Sequence, residues 1–153
     1  MQTRVMIDRL NSLLRAELTA IETYELALKD RAAFSGKTEL SQCLLSHMER
    51  AQILRDRIEA LGGVPTQNAG LWGAFATVVE KGAIVLGDDV AIRALEEGED
   101  RRLADYRTQA SKLDESMRSF FETTLLLEQE RTHRMMSELL HRVDRDHRTR
   151  ARA

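Results

Sequence analysis

At 153 residues the chain is about one domain long and can bury a single ordinary core. Its 42% hydrophobic and 31% charged residues, with one proline and few aromatics, suit an all-helical bundle and argue against a disordered tail or a membrane protein. A net charge of −2 with both signs interspersed supplies no global attraction to nucleic acid, and the lone Cys43 excludes an intrachain disulfide framework.

The N-terminus, MQTRVMIDRL, lacks the continuous apolar core of a signal peptide. No segment approaches about 18–20 uninterrupted apolar residues, so no membrane partner is expected and a cytoplasmic location is the default. A first helix is expected from Thr3 or Arg4 to Ala33, with the stripe Leu10, Leu14, Glu17, Ile21, Tyr24 and Leu28 in alternating steps of four and three. Ser35-Gly36 breaks it, and Thr38 is a candidate cap for the second helix. That helix carries Leu40, Leu44, His47, Ala51, Leu54, Ile58 and Leu61, and Gly62-Gly63 with Pro65 beyond ends it.

Residues 62–88 form a long connection in which a short extra helix is expected around Leu71–Val79, covering one side or end of the bundle. Asp88 or Asp89 starts a third helix with Ile92, Leu95, Glu99, Leu103, Tyr106, Ala110 and Leu113 on one face. Asp114 is the expected cap of the fourth, whose stripe is read as Phe120, Leu126, Leu127, Glu130, His133, Met136 and Leu140. Two antiparallel pairs joined by one long crossover between helices 2 and 3 define the ferritin-like connectivity of four-helix bundles. The bundle domain is set at residues 1–147, followed by a polar, arginine-rich tail at 148–153 that reads as a solvated helix end.

Glu17, His47, Glu99 and Glu130 each interrupt the apolar stripe of a different expected helix, and His133 follows Glu130 one turn later. Buried carboxylates must be neutralised or paired, and carboxylates and imidazoles converging from several helices suit a divalent metal. Glu and His are good ligands for Fe, Mn and Zn. The competing reading is a bundle whose buried polar groups pair with one another, Arg50 neutralising a carboxylate and His47 serving as a core histidine. Tyr24 and Tyr106 lie on stripe, either as core or as hydrogen-bond partners of the ligands. Met135-Met136 reads as core filler, and Glu22, Glu49 and Glu96 as solvated flank residues.

The segment Leu14–Tyr24, with Glu17 followed seven residues later by Tyr24, resembles the first helix of bacterioferritin. Leu61-Gly62-Gly63-Val64-Pro65 looks like the end of the second helix in that superfamily, Gly98-Glu99 is similar to the third helix of rubrerythrin, and Glu130-x-x-His133 matches the fourth-helix motif. Along nearly its whole length the chain resembles a group of bacterial ferritin-like four-helix-bundle proteins related to bacterioferritin and rubrerythrin. The resemblance implies metal ligation by Glu17, Glu99, Glu130 and His133. The second helix departs from the pattern: counting back from Pro65, the family's bridging Glu falls on His47 and its His on Arg50. A guanidinium cannot ligate a metal, and the exchange lowers the negative charge available to hold two ions.

The leading expectation is therefore a ferritin-like metal-binding protein that holds one or two ions, Fe before Mn or Zn, among Glu17, His47, Glu99, Glu130 and His133. Tyr24, Arg50 and Tyr106 would stand behind these ligands. If redox-active, such a site would oxidise Fe(II) with oxygen or peroxide, a ferroxidase or peroxidase chemistry with no catalytic residue assigned. The alternative is a metal-free bundle with a structural or stress-associated interaction role, its partners meeting the Trp72–Val79 segment. A homo-oligomer is expected by analogy, and a nucleic-acid partner, resting only on the tail, is not.

Overall fold

The computed structural model describes residues 2–29, 36–69 and 87–152, and these form an all-α helical bundle. The helices are α1 (Gln2–Leu28), α2 (Lys37–Ala60), α3 (Asp88–Ala110), α4 (Glu115–Phe120) and α5 (Leu127–Arg150). A π-helical segment, Phe121–Leu126, joins α4 to α5 in one continuous rod. The short extra helix expected around Trp72 and the break at Ser35 fall outside the described residues, as does the expected extension of the first helix to Ala33.

The helix ends follow from local chemistry. α2 closes with Gly62 at φ +76°, its N–H donating to the Glu59 carbonyl at 2.8 Å while the Gly63 N–H reaches the Ile58 carbonyl at 2.9 Å. This pair of bonds is a Schellman motif, which needs the left-handed conformation that glycine adopts without strain. Gly63 is required for a different reason: a Cβ there would stand 2.7 Å from Ile7 Cγ2, so the chain passes too close to α1 for any side chain. Asp114 caps α4 as expected, its Oδ1 accepting from the Met117 N–H at 3.0 Å. Thr38 does not cap α2; the helix starts at Lys37, with Gly36 at the cap position and no side-chain cap bond.

Cross-bundle contacts define the directions of the helices. Asn11, near the start of α1, donates to the Val64 carbonyl just past α2 at 3.1 Å, and Arg9 donates to the Lys112 carbonyl just past α3. Along α5, Ser46 meets Glu128 while Glu39 meets Arg142, so α2 and α5 are antiparallel. Glu99 meets Thr132 while Arg93 meets Asp144, so α3 and α5 are antiparallel too. The core lies in two apolar blocks. One joins Leu10, Leu14, Leu54, Ile58, Phe121 and Leu125, and the other joins Ala27, Leu40, Ile92, Leu95, Met136 and Leu139. A polar layer separates them at mid-height.

The register of the last rod differs from the expected one. Its buried face is Met117, Phe121, Leu125, Gln129, Thr132, Met136, Leu139 and Val143. The steps from 117 to 129 are all four residues, each overshooting an α-helical turn by about 40°. The π segment, with its wider i→i+5 turns, absorbs that drift and keeps the face inward. Beyond Gln129 the steps alternate three and four. The anticipated stripe took three successive steps of three from Leu127, each falling about 60° short of a turn, and so wound around the outside. α5 also runs on to Arg150, through the first half of the expected tail, with its last turns exposed. No helix among the described residues is long and apolar enough to cross a membrane.

Candidate functional site at the bundle centre

Three of the expected site residues meet. Glu17 from α1, His47 from α2 and Glu99 from α3 are each 0% exposed. The imidazole of His47 lies between the two carboxylates, Nδ1 at 2.6 Å from Glu17 Oε2 and Nε2 at 2.8 Å from Glu99 Oε1. The ring thus bridges the two carboxylates through both of its nitrogens. Arg50, one turn along α2 and 1% exposed, places Nη1 at 3.5 Å from Glu17 Oε1. Its Nη1 also donates to Gln129 Oε1, its Nε donates to the Ser46 carbonyl at 3.3 Å, and Nη2 lies 2.9 Å from His47 Nδ1. Of the two contacts at Nδ1, that to Glu17 is the shorter. Two carboxylates, an imidazole and a guanidinium thus close one cluster.

The remaining lone pairs are taken by neutral donors. Tyr106 donates to Glu17 Oε1, and Tyr24 donates to Glu99 Oε1 at 2.8 Å. Gln129 Nε2 and the Thr132 hydroxyl both donate to Glu99 Oε2, at 2.7 and 2.8 Å. A carboxylate offers about four lone-pair sites, and all four on Glu99 are used.

Electrostatics follow this geometry. Burial alone would raise the pKa of Glu17, but the Arg50 and His47 charges and their hydrogen bonds outweigh it and hold the carboxyl at about 2. Burial also works against ionisation of Glu99, and the charge and hydrogen bond of His47, followed by Arg102 and Arg50, place it well below the usual carboxylate range. Desolvation and the neighbouring carboxylates push Tyr24 and Tyr106 well above the ordinary phenol value, so both remain proton donors in their bonds. Burial, then the charge of Glu99, raises the Cys43 thiol to about 12, which makes it a packing residue rather than a nucleophile.

Glu130 and His133 do not join this centre. Glu130 has a side chain 36% exposed and pairs with Arg107 at 3.3 Å. His133, 26% exposed, contacts Asp100 Oδ1 through Nε2 at 2.5 Å. The four-residue steps through the π segment turn Gln129 and Thr132, each one position earlier, into the bundle instead. Those two were missed in the sequence, although the alternating run Gln129, Thr132, Met136, Leu139, Val143 was there to be counted. Glu96 was expected in solvent; it is half-buried and accepts from Ser137 at 2.9 Å. Ligand atoms of Glu96, Asp100 and His133 lie within 4.8 Å of one another, the one such group of three found among the described residues.

A two-metal carboxylate centre in a four-helix bundle draws a Glu from each of two helices and a Glu-x-x-His from each of the other two. Here the corresponding inward pairs are His47-x-x-Arg50 and Gln129-x-x-Thr132, which carry one imidazole, one fixed cation and two weak neutral donors. These residues do not fit such a centre. Comparison of the chain with protein-family models, with curated proteins and with solved structures returns no match.

Proposed function

We propose that this chain is a ferritin-like four-helix bundle whose centre is held together by its own cations, and that it serves as a metal-independent structural or interaction protein. The connectivity is supported by the contacts of Asn11 with Val64 and of Arg9 with Lys112, which put the ends of α2 and α3 at one end of the bundle. The end of α2 and the start of α3 then lie at opposite ends of the bundle, about 36 Å apart for a helix of 24 residues. That separation supports the proposed crossover between two antiparallel pairs.

The observation that carries the functional reading is the position of His47 and Arg50. Their imidazole and guanidinium neutralise Glu17 and Glu99 at the place where a bridging metal would do so. A fully satisfied buried network of this kind rigidifies a core and specifies one packing. For a contact role the outer face of α2 offers Leu45 and Met48, one turn apart and 58% and 47% exposed.

A second reading, divalent-metal binding with Fe(II) oxidation, is favoured by one observation: two carboxylates and an imidazole from three helices do converge. Metal analysis of protein purified without chelator from Fe-, Mn- and Zn-supplemented cells separates the two. The expected result is no stoichiometric metal that depends on Glu17, and no thermal stabilisation by Fe(II), Mn(II) or Zn(II) that Glu17→Ala removes. Stoichiometric metal that disappears in Glu17→Ala and Glu99→Ala overturns the metal-independent reading.

A further inference from the structure

The seam between α1 and α3 contains a cavity of about 310 Å³, lined by Ser12, Arg15, Thr19, Arg102, Asp105 and Gln109, with Tyr106 of the buried centre also on its wall. A smaller cavity of about 60 Å³ continues from it, sharing Thr19, Arg102 and Asp105. The seam is open because the facing positions are small: Ala16 and Thr19 on α1, Gly98 on α3.

Arg102 lines both spaces and is 8% exposed, yet forms no hydrogen bond or ion pair among the described residues. Its Nε is buried without a partner, and so is Oε1 of Gln109 on the same wall. Glu99, one turn before Arg102, attracts it electrostatically but offers it no hydrogen bond, because its lone pairs are already taken by His47, Tyr24, Gln129 and Thr132. A desolvated guanidinium is costly unless an acceptor completes it. Arg15 adds a second guanidinium to the same wall, and Asp105 a carboxylate; neither is paired among the described residues, and the three leave one net positive charge.

We propose that this seam binds a small-molecule oxyanion, a carboxylate or phosphate group accepting from the Arg102 guanidinium, with Arg15 and the Ser12 hydroxyl at its rim. The planar fork of arginine matches both groups bidentately. The volume sits at the low end of small-ligand sites, about 300–1,000 Å³, which fits a small metabolite rather than a polymer. The site adjoins the buried centre through Tyr106, which lines the cavity and donates to Glu17, but it does not rest on the metal-independent reading.

Titration of the full chain with inorganic phosphate and with acetate, followed by calorimetry and thermal shift against sodium chloride at equal ionic strength, tests it. The expected result is saturable binding of at least one of the two anions, in the millimolar range or tighter, with a rise in Tm that chloride does not reproduce. Arg102→Gln, which removes the charge and the guanidinium fork and leaves a shorter polar side chain, should weaken binding at least tenfold. Ala16→Leu, which fills the seam from the surface of α1, should abolish it while the helical circular dichroism is unchanged, and so serves if Arg102→Gln does not fold. The proposal is overturned if neither anion binds beyond the chloride effect, or if Ala16→Leu or a folded Arg102→Gln titrates like the parent.

Discussion

Arg50→Met is the sharpest perturbation of the buried centre, since methionine keeps much of the side-chain length and removes only the charge and its donors. Arg50 is 1% exposed, faces Glu17 at 3.5 Å and donates to Gln129. Its loss leaves the Glu17 carboxylate with His47 and Tyr106 alone and strips Gln129 Oε1 of its donor. Breaking a buried ion pair from one side costs about 3–5 kcal/mol, because the surviving charge is stranded. The direction agrees with the low pKa of Glu17, to which the Arg50 charge is the largest favourable contribution. For a domain of this size 1 kcal/mol moves Tm by about 2–4 °C, so a fall of about 6–20 °C is expected. Urea and thermal unfolding at pH 7 measure it. Combining the change with Glu17→Gln removes the stranded charge as well, and the double variant should recover about 1–3 kcal/mol relative to the sum of the singles. A cost below about 1 kcal/mol for Arg50→Met, or simple additivity in the double variant, would refute the view that Arg50 neutralises Glu17.

Two further outcomes follow from the same geometry. Glu17 stays ionised in the folded state down to about pH 2, whereas the unfolded chain takes up its proton near 4.5. Its contribution is therefore complete above about pH 4.5 and is lost as pH falls toward 2, with Glu99 acting in the same direction. Urea midpoints should drop steeply between pH 5 and 3 and less so in Glu17→Gln; flat stability across that range would contradict the buried carboxylates. Glu130→Ala and His133→Ala remove partly exposed pairs and should each change stability by about 1 kcal/mol or less. Glu99→Ala, by contrast, should be far more damaging, and a His133→Ala variant equally damaged would place His133 back in the interior.

Much of the fold was legible because three helices carry unambiguous stripes. In α1, α2 and α3 the four-three alternation put Glu17, His47 and Glu99 on the buried face, and the structure buries all three. The Leu61-Gly62-Gly63 stop was equally readable, since one glycine serves a left-handed φ and the other a close approach to Ile7. The fourth stripe was misread by one residue because Leu125, Leu126 and Leu127 offer two adjacent apolar faces, and only continuation to Val143 favours one of them. A π segment leaves little local mark in sequence, as any six residues with these side chains also suit an α-helix.

By itself the sequence determined that the chain is helical, that its helices bury one face each, and that two carboxylates and a histidine lie on those faces, because periodicity is a local property of each segment. What occupies the centre was decided only in the assembled bundle. Whether Arg50 points at Glu17 or at solvent, and whether Glu130 or Gln129 turns inward, depends on the register of α5 against α2 and α3. That register is set by packing between helices far apart in the chain. It gathers three of the five anticipated ligands, Glu17, His47 and Glu99, into a cluster with Arg50, Tyr24, Tyr106, Gln129 and Thr132, and leaves Glu130 and His133 outside it.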